Sequence, residues 1–189
     1  LPSLMLVGAA FTFLAGRATT FGEFMVCGVA LGLVGTSFAV GVCAVSAWFP
    51  PERRGGALGV FGAGNLGTAV TTLGAPHLLE RYGLETTFTV YAAALALGAL
   101  VYAVLMRDAP GATSAPASLR RALLPLAEAR TWRFGLYYLV TFGGFVALSL
   151  KLPGIFRTFP GMTTTSAGLI TAGFCALASL VRAPGGWFA

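Results

Sequence analysis

Charge is what this sequence has least of. Only 10% of its 189 residues are Asp, Glu, Lys or Arg, against about 25% in an ordinary soluble domain, which excludes a solvated surface over most of the chain. Acids are the scarcer sign, six against twelve basic residues. None of the six lies inside a long apolar run, which argues against a buried carboxylate relay or a cation site. Histidine occurs once, as His77, and the three cysteines, Cys27, Cys43 and Cys175, form no C-x-x-C pair. No zinc ligand set follows from those spacings; no metal, no cofactor and no enzymatic chemistry is expected. The net charge of +6 comes from residues placed mostly between apolar runs. A nucleic-acid binder clusters them on one soluble face, so nucleic acid is not an expected partner.

What is abundant is apolar surface and glycine: 57% hydrophobic residues, 26 glycines and a mean hydropathy of +0.83. A helix needs about 20 residues to cross a hydrocarbon core of about 30 Å. By that measure six runs qualify, at residues 1–16, 24–49, 57–79, 86–106, 134–156 and 166–189. The fold class is therefore an all-α membrane protein, multi-pass, with the lipid bilayer as its surroundings. The connectors 50–56 and 107–133 carry Arg53, Arg54, Arg107, Arg120, Arg121, Arg130 and Arg133, whereas 17–23, 80–85 and 157–165 carry Arg17, Arg81 and Arg157. Seven against three places the first set in the cytoplasm by the positive-inside rule. The long connector opens with linker composition and ends as "LRRALLPLAEARTW", a basic and apolar segment suited to the membrane surface. Such a connector joins the halves of a pseudo-symmetric transporter. The expected domains are 1–106, four helices ending one half, 107–133, the cytoplasmic connector, and 134–189, two helices opening the next.

One motif points elsewhere at first sight. Gly62-Ala63-Gly64-Asn65-Leu66-Gly67 has the G-x-G-x-x-G spelling of a dinucleotide-binding turn, with Glu85 at roughly the 20-residue distance of a ribose-binding acid. That fold needs a buried strand before the first glycine, and "PPERRGGALGV" supplies charge and glycine instead. The hexamer lies inside a run of helical length, where glycine lets helices pack closely. Gly55, Gly59 and Ala63 recur four apart and form a groove of small residues, to which Gly62, Gly64 and Gly67 add. Asn65, Thr68 and Thr72 share a face, as interhelical contacts or as the lining of a path; lipid cannot satisfy them.

The last run places Thr171, Cys175, Ser179 and Arg182 on one helical face. An arginine at membrane depth costs at least about 2.5 kcal/mol and needs a use, snorkelling to headgroups being the alternative. The fifth run carries Tyr138, Phe142 and Phe145 at helical spacing, with Thr141 beside them. An interior arginine without an interior acid points to an anion.

At this point the residues resemble a known family. "GTSFAVGVCAVSAWFPPERRGGALGVFGAGNLGTAVTTLGAP" (35–76) is similar to the fourth and fifth helices of the nitrate/nitrite porter family of the major facilitator superfamily, including its W-F-P-P-E-R-x-G junction and glycine-rich nitrate signature. "GLYYLVTFGGFVALSL" (135–150) resembles that family's seventh helix and "LASLVRAPGG" (177–186) its eighth. The resemblance implies helices three to eight of a twelve-helix bundle, working by alternating access with nitrate and nitrite as substrates, in a plasma or inner membrane. It implies that Arg182, Tyr138, Phe142, Asn65 and Phe38 bind substrate. Thr68, Thr72, Thr141 and Ser179 are candidates for the pore lining. The family's second arginine, from helix two, and its second signature, in helix eleven, lie outside this chain, so the remaining helices of the transporter are expected partners. Nitrate/nitrite exchange and proton-coupled nitrate uptake both stay open. So do a porter for another anion and, if the chain is complete, a membrane protein that transports nothing.

Overall fold

The computed structural model describes residues 1–107 and 123–188. Among the described residues the chain is helical with short connections and no strand, so the all-α expectation holds. The helices are α1 (Pro2–Ala15), α2 (Phe21–Val34), α3 (Ser37–Trp48), α4 (Pro51–Gly62), α5 (Leu66–Leu105), α6 (Ala129–Tyr138), α7 (Gly144–Phe156), α8 (Thr164–Leu180) and α9 (Arg182–Phe188). A 3-10 turn, Ala63–Asn65, joins α4 to α5, another spans Leu124–Ala127, and a π-helical turn, Leu139–Gly143, joins α6 to α7.

Among the described residues four stretches are long and apolar enough to cross a membrane: Phe21–Trp48, Pro51–Leu105, Ala129–Phe156 and Thr164–Phe188, with Pro2–Ala15 a shorter apolar helix. The second has 55 residues, about 82 Å of helix, more than twice the hydrocarbon thickness. Gly83 divides it. Its φ of 77° and ψ of 176° lie where essentially only glycine is stable, so the chain turns there, within the expected 80–85 connector. Each of the six expected runs is thereby helical over most of its described residues.

Several connectors are shorter than the sequence implied. Pro51 opens α4 at its N-terminus, where a missing N–H costs nothing, and most of the expected 50–56 connector is helix. Between α1 and α2, Thr20 accepts a hydrogen bond from the Glu23 amide while the Glu23 carboxylate accepts from the Thr20 amide, a reciprocal cap that starts α2. Of the 107–133 connector, residues 108–122 lie outside the described residues, and its end is already helical from Ala129.

The described residues form two compact units: 1–62 with 74–107 and 182–188, and 63–73 with 123–181. The expected domains follow chain order, whereas the compact units do not. In the first unit, α1 packs through glycine: a Cβ placed on Gly8 would lie 3.1 Å from Leu95 and 3.2 Å from Val34. Arg17 ends α1 with an ion pair to Glu85 at 2.8 Å, its guanidinium lying 3.6 Å from the centre of the Phe13 ring. In the second unit the core is Ala69, Phe145, Ala172 and Cys175, flanked by Phe142 and Phe174.

Candidate functional site

Arg182 stands where the last membrane stretch breaks. The expected face of Thr171, Cys175, Ser179 and Arg182 assumed a continuous α-helix, which one turn residue, Val181, still at helical backbone angles, interrupts. α8 stops at Leu180, and Arg182 is the first residue of α9. Pro184 supplies the cause, because its ring clashes with the carbonyl four residues back, that of Leu180, and it has no N–H to give. Within α9 the same proline falls in the first turn, where it is tolerated.

In the first unit, α9 crosses α4 backbone against backbone. A Cβ on Gly59 would lie 2.5 Å from the Arg182 carbonyl oxygen and 2.9 Å from that of Ala183, and one on Gly186 would meet the Gly59 Cα at 2.8 Å and overlap the Gly55 carbonyl oxygen. No side chain fits between these helices. One turn further on, the Arg182 stem runs across Gly62: a Cβ there would be 3.2 Å from Arg182 Cδ, 3.6 Å from its Cβ and 3.8 Å from Nη1. The first glycine of the hexamer is thus the space in which the arginine side chain lies. Among the described residues, Gly64 and Gly67 have no neighbour within 4 Å of a built Cβ. Phe38 belongs to this unit too. Its ring lies 5.3 Å from that of Phe61, which packs into the notch at Gly41.

The second unit holds Tyr138, Phe142 and Asn65. Tyr138 and Phe142 stack at 5.0 Å with 17° between their planes, Phe142 continues to Phe145 at 6.2 Å, and Phe145 to Phe174 of α8 at 6.0 Å. This four-ring ladder passes through the π-helical turn Leu139–Gly143, a feature the sequence reading missed and one that recurs at functional sites. Its signal was the Gly143-Gly144 pair. Asn65, in the 3-10 turn, has its amide Nδ2 buried with no hydrogen-bond partner among the described residues. Such a donor costs about 1–3 kcal/mol unless something accepts from it.

The hydroxyls behave differently. Thr72 donates to Thr68 O at 2.8 Å, Thr141 to Tyr137 O at 2.8 Å and Ser179 to Cys175 O at 2.7 Å. Each spends its proton on its own helix, as lipid surroundings demand, and turns lone pairs outward. Anions need donors, so these three contribute acceptors; Thr171 and Ser179 are in addition completely buried. The chemistry suited to an anion resides in the Arg182 guanidinium, with five N–H groups, and in Asn65 Nδ2. Lys151, to which the sequence reading gave no role, lies exposed on α7, near enough to the helix end at Phe156 to reach the interface. Among the described residues no group of His, Cys, Asp and Glu is arranged to hold a metal.

The family model described as Major Facilitator Superfamily matches residues 1–189. The chain is 41% identical over 180 residues to the probable nitrate/nitrite transporter NarK2 of Mycobacterium tuberculosis, covering 91% of this chain and 45% of that protein. It is 37% identical to the probable nitrate/nitrite antiporter NarK1 of Thermus thermophilus, over 93% of this chain and 42% of the relative. It is also 37% identical to the nitrite extrusion protein of Bacillus subtilis, over 86% and 41%. The chain thus spans less than half the length of these curated relatives. No solved structure matches it. A full-length family match, membrane-length helices and a resemblance to the nitrate/nitrite porters carried by named residues converge: the chain belongs to the Major Facilitator Superfamily.

Proposed function

We propose that the chain is part of a nitrate/nitrite transporter of a plasma or inner membrane, working by alternating access and exchanging one anion for the other. The observation that carries this reading is the seat of Arg182: a guanidinium at membrane depth, its stem accommodated by Gly62, in a chain whose relatives are named for nitrate and nitrite. Nitrate is planar, and the guanidinium fork offers planar donors matched to its oxygens. For the second unit, taken by itself, the resemblance assigns Tyr138, Phe142 and Asn65 to the substrate as well; there the two rings stack on each other and the Asn65 amide is buried. Exchange is supported by the relative named a probable nitrate/nitrite antiporter. Residues 50–56 and 107–133 face the cytoplasm in this reading, by their seven arginines.

The polypeptide that contains this chain, reconstituted into liposomes, tests it. Vesicles loaded with nitrite should accumulate nitrate, empty ones should not, and a tenfold excess of sulfate should leave uptake unchanged. Competition by an unrelated anion as strong as that by nitrite would assign a different substrate.

A further inference from the structure

We propose that Arg130, Arg133, Phe134 and Tyr137 form a binding site for the phosphate of an anionic phospholipid of the cytoplasmic leaflet. The four recur at i, i+3, i+4 and i+7, so a single stripe of α6 carries them, and together they line a surface cavity of about 220 Å³. Depth places them at the headgroups. The stretch Ala129–Phe156 has 28 residues, about 42 Å of helix, so about 6 Å projects beyond a 30 Å core at each end. Arg130 and Arg133, among its first five residues, fall in that layer.

The surroundings are those of a lipid contact. Phe134 and Tyr137 are 69% and 62% exposed and meet edge to face at 6.4 Å. Just upstream, Leu123, Leu124 and Leu126 are exposed as well, and the Trp132 indole N–H donates to Leu126 O at 2.8 Å, holding their turn against α6. Cations beside apolar side chains match a phosphodiester that carries acyl chains. A small free anion gains nothing from the leucines, and edge-to-face rings leave no parallel slot for a planar ion. Glu128, the nearest acid in sequence, stands two residues before Arg130 and therefore off the stripe. The proposal does not depend on which ion is transported.

The test is lipid retention by the purified polypeptide containing this chain, read by native mass spectrometry after equilibration with phosphatidylglycerol or phosphatidylcholine vesicles. Wild type should retain phosphatidylglycerol in preference, and inorganic phosphate or nitrate at millimolar concentration should not displace it. Each basic residue at such a surface is worth about fivefold in binding. Arg130→Gln with Arg133→Gln should therefore reduce the preference at least about tenfold, while Arg130→Lys with Arg133→Lys retains most of it. Equal retention by the Gln pair and wild type would overturn the proposal, as would displacement by free phosphate or nitrate, or equal losses in the Gln and Lys pairs.

Discussion

The two units solve the same packing problem by opposite means. In the first, α4 and α9 are held by what is missing: Gly55, Gly59 and Gly186 bring backbone onto backbone. In the second, α7 and α8 are held by what is present, the ring ladder from Tyr138 to Phe174 and the core around Phe145. The difference teaches how each region should tolerate change. A backbone contact has no rotamers with which to adjust, so any added side chain displaces a helix. A ladder of rings absorbs volume changes by local shifts and loses stability in proportion to what is removed.

The sharpest way to break this contrast is Gly59→Leu. With carbonyl oxygens of α9 at 2.5 and 2.9 Å from a built Cβ, no leucine rotamer fits, and folded yield on size-exclusion chromatography should fall at least about tenfold, beyond ordinary overpacking of about 1–3 kcal/mol. Wild-type yield would mean that the α4–α9 contact does not hold the fold. Next in size is Phe145→Ala in the ladder, which removes a buried ring and should destabilise by about 3–5 kcal/mol. Thermal unfolding would show this as a lowered midpoint with folded protein still recoverable, and an unchanged midpoint would remove the ladder from the account.

Smaller effects sharpen the comparison within the hexamer itself. Gly62→Ala places a methyl 3.2 Å from Arg182 Cδ, near enough to shift the side chain by tenths of an ångström. Stability should barely change, while the KM for nitrate should rise roughly fivefold, the equivalent of about 1 kcal/mol. An unchanged KM would mean that the arginine does not depend on that space. Gly64→Ala, with nothing within 4 Å among the described residues, should be neutral, or stabilising by up to about 1 kcal/mol through a less flexible unfolded chain. A loss like that of Gly59→Leu would show that the hexamer glycines act as one group.

The helical class was legible from run lengths alone, because hydrocarbon leaves the backbone few alternatives. What escaped was how short the breaks are. The break at Gly83 falls inside the expected 80–85 connector, yet the helix runs up to it and resumes after it, since a single residue at positive φ suffices to turn the chain. The stop before Arg182 was written in Pro184, but a hydrophobic run hides a proline that sits in the first turn of the next helix. The candidate site was legible by residue type rather than by geometry. Arg182 stood out as an ion among apolar residues. That its stem lies over Gly62, and that Thr72, Thr141 and Ser179 spend their protons on their own helices, depends on side-chain directions no spacing encodes.

The central claim is that Arg182 holds the anion through the planar fork of its guanidinium rather than through charge alone. Nitrate binding to purified Arg182→Lys and Arg182→Ala variants, each checked for folded, monodisperse protein, tests it most directly. Lysine keeps the charge but offers a compact ammonium that cannot reproduce the fork, so the account predicts that both variants lose nitrate binding to a similar extent while remaining folded. A snorkelling anchor would accept lysine, and near-normal nitrate binding by Arg182→Lys would contradict the account.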